Sequence, residues 1–387
     1  MKHILFLFVL LFLLSCSTDN KNDAEKIVRE FISANAIDQR ETVFEINLST
    51  ENGQLIVAGE TDQPELKSSL LSELEIYNPI DQISVLPDST VGEKVFGLIN
   101  LSVANLRTEP NHTAELATQA LLGTPVKILQ FKNGWYRIQT PDNYISWVDD
   151  DGLFPVNETE LEKWKESKRV IFTGDNGTIF ENPDFGNLVS DVTTGNILLE
   201  VDRKPRVIRV QLPDGRTGFT EPENWLDFEN FRNTVQPDSV EIRLLAKQLT
   251  GRPYLWGGTS ARAMDCSGFV KTIYFMNGII LARDASLQVK QGILADTLIN
   301  PGPFQTGDLL FFGQKASETS KERVTHVALS LGGNEFIHAS GRIKMNSFNS
   351  KSAVFSEYRK NSFIRARRII GAENSNGVVK LKEHPWY

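Results

Sequence analysis

The feature that most constrains this chain is the order of three reactive side chains: Cys266, in Asp265-Cys266-Ser267-Gly268-Phe269-Val270, then His326, then His338. Phe269, Val270, Ile273 and Tyr274 recur at helical spacing, so the run that begins at the cysteine predicts a helix with one apolar face. His326 opens a strand in which Val327, Leu329 and Leu331 face one way and His326, Ala328 and Ser330 the other, which takes the imidazole off the apolar side. Phe336-Ile337-His338-Ala339 is the next strand, and Gly332-Gly333-Asn334 is a turn that makes the two antiparallel neighbours. At a helix N-terminus the unsatisfied N–H groups and the dipole favour thiolate. His326 is then placed as base, with His338 orienting it through its second ring nitrogen.

Elimination supports this choice. The chain has two cysteines and five histidines. Met1-Lys2-His3 followed by the apolar run 4–14 reads as a secretory signal, too short to span a bilayer as a mature helix. Leu13-Leu14-Ser15-Cys16 resembles the lipobox of bacterial lipoproteins, which implies lipidation of Cys16, export, and attachment to a membrane through lipid. Cys266 is then an unpaired thiol in a compartment that permits disulfides. His3 leaves with the signal, His112 sits in a polar turn, and His384 lies in a tail. A metal site fails on spacing, because there is no Cys-x-x-Cys, no His-Glu-x-x-His and no carboxylate placed as a third ligand. No cofactor is called for. A formal charge of -8, with no basic stripe, argues against nucleic acid as a partner.

The rest of the chain predicts several domains. After the signal (1–15) and a tether (16–23), residues 24–90 read as a small α+β unit: helices at 24–37 and 64–74, a hairpin around Asn52-Gly53, and a strand at 82–86. Residues 91–155 carry short strands with turn residues between them, the pattern of a small barrel. The stretches Val103-Ala104-Asn105-Leu106-Arg107, Gly123-Thr124-Pro125, Gly134-Trp135-Tyr136 and Tyr144-Ile145-Ser146-Trp147-Val148 resemble a bacterial SH3 domain. Residues 166–230 read as a degenerate second copy, 222–238 as a linker, 239–249 as an amphipathic helix with Val240, Leu244 and Ala246 among its apolar positions, and 373–387 as the tail.

From 238 to 372, Tyr254-Leu255-Trp256-Gly257-Gly258, the cysteine motif, Gly307-Asp308-Leu309-Leu310-Phe311-Phe312, Thr325-His326-Val327-Ala328 and Phe336-Ile337-His338-Ala339 together resemble the NlpC/P60 family of cell-wall cysteine peptidases. The resemblance implies a multidomain α+β protein with two SH3-like β-barrels and a C-terminal papain-like domain. It also implies hydrolysis of the γ-D-glutamyl–diamino acid bond of peptidoglycan stem peptides. Carried over by motif, Cys266 is the nucleophile, His326 base and then acid, and His338 the orienting residue; Tyr254 and the Cys266 N–H are oxyanion candidates.

The SH3 pairing and Arg283-Asp284-Ala285-Ser286 are similar to the γ-D-glutamyl-L-diamino acid endopeptidases of murein recycling. In that group the SH3 domain walls the site, and carboxylates recognise the free amine of L-alanine. The positions implied here are Glu115, Tyr144, Ser267 and Asp284, with Trp256, Asp265 and Arg283 completing the substrate-binding set. The plainer alternatives are a solvated turn for Glu115 and a helix cap for Asp284. Two other functions stay open: a hydrolase of intact peptidoglycan with SH3 domains as wall-binding modules, and a non-enzymatic wall-binding scaffold. The polar stretch 315–323 reads as a loop insertion near the cleft.

Overall fold

The computed structural model describes residues 21–184, 186–296, 298, 304–373 and 375–387; the signal segment, His3 and Cys16 lie outside them. The described part divides into two compact units, one ending at Gly92 and including Leu129–Phe131, the other holding Glu93–Ile128 and Lys132–Tyr387.

In the first unit a helix spans residues 21–34. Phe44–Glu51 and Gln54–Thr61 form a hairpin whose Asn52-Gly53 turn has φ of 50° and 81°, the left-handed pair a tight hairpin needs. The helix Pro64–Glu73 then returns the chain so that Ile80–Val85 pairs in parallel with the second hairpin strand. Val28, Phe31, Phe44, Val57, Leu70 and Ile83 close its core.

In the second unit two seven-stranded barrels lie in tandem along the sequence, built from residues 96–156 and 169–227. They meet through backbone and buried amides: Asn196 donates to the Ser102 carbonyl at 2.9 Å, and the Ile197 N–H to Leu122 at 2.9 Å. The residues read as a linker are structured, as the strand Trp225–Asp227 and the helix Phe228–Thr234. Phe228 and Phe231, three apart on that helix, are both buried and anchor it. Residues 375–387, expected as a tail, are likewise anchored. Val379–Lys380 pairs with Ile279–Ile280, and Leu381 and Tyr387 are buried in a cluster with Phe228 and Ile280.

The last domain sets helices on a six-stranded sheet ordered Ile293–Asp296, Phe363–Arg368, Leu309–Gln314, Arg323–Gly332, Glu335–Ser340, Arg342–Ser347. Its first helix, Ser239–Gln248, is capped by Asp238 and buries Ile242 and Ala246, while Val240 and Leu244 stay exposed. The apolar face is therefore rotated from the one expected. The helix Cys266–Phe275 packs on one face of the sheet with Leu309, Phe311, Val327, Leu329 and Ile337. The opposite face is also apolar, covered by Phe304, Phe312, Phe336, Phe348 and Phe363.

Candidate active site

Cys266 begins its helix because Asp265 caps it: the Asp265 carboxylate accepts the Gly268 N–H at 2.7 Å. Glycines on both sides of the cysteine bring backbone close. Gly257 has φ of 79°, and a Cβ there would lie 2.3 Å from the Leu116 carbonyl oxygen of the first barrel. A Cβ on Gly268 would lie 2.1 Å from the Gly258 carbonyl oxygen. The first turn of the cysteine helix is thus pressed against the Gly-Gly loop, and that loop against the barrel.

The thiol is buried. Burial pushes it up to about 11, and the Asp265 carboxylate acts in the same direction; the backbone N–H groups of Val327 and Ser267 and the Arg283 charge pull it down. Contact with the Val327 N–H sets the sulfur one residue from His326. His326 is buried too, its ring 5.8 Å from that of Phe312. The strand alternation was read correctly, but the face it gives the imidazole is a phenylalanine layer rather than a polar one. Burial there, with the charges of Arg359, His338 and Lys344, holds His326 well below the ordinary histidine range. Its Nε2 lies 2.7 Å from His338 Nδ1, and His338 Nε2 lies 2.9 Å from Asn346 Oδ1. With the neutral amide oxygen accepting, His338 carries its proton on Nε2 and presents Nδ1 as acceptor to a proton on His326 Nε2. His326 Nδ1 is then the basic nitrogen. Tyr254 is half-buried, and burial with the nearby Cys266 and Asp265 keeps its phenol protonated, hence a donor.

Asp265, Ser267 and Arg283 come together, but with one another. Arg283 is 1% exposed; its Nε donates to Thr118 Oγ1 at 2.8 Å, and its Nη groups to Asp265 at 3.1 and 2.5 Å and to Ser267 Oγ at 2.9 Å. The sequence reads these three as substrate-binding; in the structure their side-chain polar atoms build the base of the site. Glu115 and Trp256 do stand at the rim, where the indole N–H donates to the Glu115 carboxylate at 2.6 Å. Tyr144 donates to Asp284 at 3.2 Å. Asp284 occupies a helix N-cap position without making a side-chain cap bond, so its carboxylate serves this cross-domain contact instead. Both pairs join the first barrel to the cysteine domain. The insertion expected near 315–323 is the exposed connection between the Leu309–Gln314 and Arg323–Gly332 strands.

Three contributors were missed in the sequence. Asn346 sits on the strand after His338, alternating with Ile343 and Met345, and extending the strand reading one element further would have found it. Gln119, whose side-chain oxygen accepts the Thr259 and Ser260 N–H groups at 3.1 and 3.3 Å, and Thr118 act across 140 to 165 residues of chain and leave no local signal.

Residues 251–368 match the NlpC/P60 family, and residues 106–153 match the bacterial dipeptidyl-peptidase Sh3 domain. The chain is 29% identical over 270 residues to a gamma-D-glutamyl-L-lysine dipeptidyl-peptidase of Bacillus cereus, covering 68% of this chain and 74% of that protein. It is 28% identical over 265 residues to dipeptidyl-peptidase 6 of Lysinibacillus sphaericus, covering 65% and 92%. A probable endopeptidase of Haemophilus influenzae is 30% identical over 146 residues, 36% of this chain and 82% of that one. Among solved structures, an NlpC/P60 family protein from Bacillus cereus shares the fold, with a TM-score of 0.60 at 23% identity over 71% of this chain and 99% of that one.

Proposed function

This chain belongs to the NlpC/P60 family of cysteine peptidases, and on that premise we propose that it hydrolyses the γ-D-glutamyl–diamino acid bond of peptidoglycan-derived peptides, preferring those with a free N-terminal L-alanine. The observation that carries the reading is the pair of carboxylates, Glu115 and Asp284, each tied across the seam between the first barrel and the cysteine domain. An ammonium set between them gains charge-assisted hydrogen bonds that an N-acylated peptide lacks. The naming of two relatives as dipeptidyl-peptidases, aligned over 68% and 65% of this chain, supports the same substrate class.

In this reading the Cys266 thiol passes its proton to His326 Nδ1 and attacks the γ-carbonyl carbon. Tyr254 and the Cys266 N–H stabilise the oxyanion. The C–N bond breaks as His326 protonates the leaving amine, giving a Cys266 thioester. Water, deprotonated by His326, then releases the γ-D-glutamyl product and the thiol. His338 holds the imidazole, and Asn346 holds His338. Arg283, Asp265 and Ser267 position the nucleophile.

The test is incubation of the protein with L-Ala-γ-D-Glu-diamino acid tripeptide and its N-acetylated form, with products followed by mass spectrometry. Cleavage of the free-amine peptide, abolished in Cys266→Ala, is expected. No cleavage, or cleavage that survives that substitution, defeats the reading; equal rates on both peptides remove the free-amine preference alone. We further propose that the mature protein is exported and held to a membrane by lipid on Cys16. Fractionation checks this: Cys16→Ala is expected in the soluble fraction, and its retention in membranes would overturn the anchor.

A further inference from the structure

Two cations at the site, Arg359 and Lys344, have no carboxylate partner among the described residues. Arg359, on the helix Glu357–Ser362, is partly buried, with its guanidinium 5.4 Å from the centre of the Phe312 ring and 5.1 Å from that of Tyr358. Its hydrogen bond is a long one, 3.5 Å to Ser340 Oγ, two residues beyond His338 on the same strand. Phe312 in turn lies against His326, so the guanidinium stands on the histidine side of the cleft. Its charge acts on Cys266, Tyr254, His326 and His338. Lys344 joins it: Lys344 is the direct cross-strand neighbour of His338, so both side chains leave the same face of the sheet. Among the described residues no carboxylate forms an ion pair with either cation.

Glu115 and Asp284 stand where the first barrel closes the site. The site thus carries carboxylates at the seam with the first barrel and cations beside the histidines. A partly buried guanidinium without a counter-ion bears the cost of desolvation without the return of an ion pair. A bound anion would supply that return.

We propose that Arg359, assisted by Lys344, forms a carboxylate-binding subsite for the leaving group, and selects a diamino acid whose side chain carries a second carboxylate over lysine. This rests on the substrate class argued above. A lysine side chain would bring an ammonium toward two cations, whereas a 2,6-diaminodicarboxylate brings a carboxylate that the planar guanidinium can grip with two N–H groups. The relative named for a γ-D-glutamyl-L-lysine substrate sets the contrast that the test reads.

The experiment measures kcat and KM on three free-amine tripeptides: L-Ala-γ-D-Glu linked to diaminopimelate, to diaminopimelate with its side-chain carboxyl amidated, and to L-lysine. Wild type is expected to favour the first over the other two by about tenfold, the scale of one charge-assisted hydrogen bond. Arg359→Gln should remove that preference through KM on the first peptide, leave the lysine peptide unchanged or improved, and Arg359→Lys should restore part of it. Lys344→Gln should erode it in the same direction. Equal rates on all three with wild type, or a loss in Arg359→Gln that is the same for every peptide, overturns the subsite. Failure to cleave any of them instead overturns the underlying substrate reading. Thermal denaturation of each variant separates misfolding from lost recognition.

Discussion

Cys266 and His326 are both withheld from water, and burial acts on them in opposite directions: the thiol is pushed up to about 11 while the imidazole is held well below its ordinary range. At neutral pH the resting proton therefore stays on sulfur, and the ion pair is made only as the thiol attacks. The same burial gives a stability signature. His338 is held at about 4, against 6.5 for an ordinary histidine, so below pH 6.5 the unfolded chain takes up a proton that the folded one refuses until about pH 4. The sign is fixed by that order: stability falls as pH drops through the window, by roughly 3 kcal/mol for this group, and His326 deepens the loss. Urea denaturation between pH 7 and 4 is expected to show the decline, and His338→Gln to flatten it. A profile that is level across that range in wild type would contradict the assignment.

At the scale of elements, the cysteine helix, the hairpin of the two histidines and the Asn52-Gly53 turn were legible because each rests on neighbours in sequence: apolar residues at helical spacing, alternation of period two, left-handed turn residues. What the sequence hid was which face of an element would be covered. The helix 239–248 has apolar residues on two sides, and only packing decides that Ile242 rather than Val240 is buried. The His326 strand has apolar neighbours on both faces once the sheet is assembled, because Phe312 and Phe336 arrive from adjacent strands. The linker and tail were misread for a related reason: their anchors, Phe228, Phe231 and Tyr387, are sparse aromatics among polar residues, and they bury against each other rather than along a local period. Arg283 and Arg359 show the same limit in charge. Both are arginines near the site, yet Arg283 is fully engaged, in part by Thr118 of the first barrel, while Arg359 has no counter-ion among the described residues.

Across the second unit, the first barrel and the cysteine domain share their polar atoms. Thr118 receives the Arg283 guanidinium that braces Asp265, Gln119 receives two N–H groups of the Gly-Gly loop, and Leu116 fits the space that Gly257 leaves. Residues 238–387 produced alone are expected to melt at least about 5 °C below the full protein and to lose most peptidase activity. Circular dichroism on heating and the tripeptide assay check both, and an excised domain that matches the full protein would refute it. The Arg283 brace also bears on how such a protein can diversify. A cell-wall hydrolase with a detachable binding module can trade that module for another without touching its chemistry. Here a new partner domain would arrive without Thr118 and would disturb the aspartate that starts the nucleophile's helix, so the unit available for exchange between genes is the barrel and peptidase together, inherited as one piece.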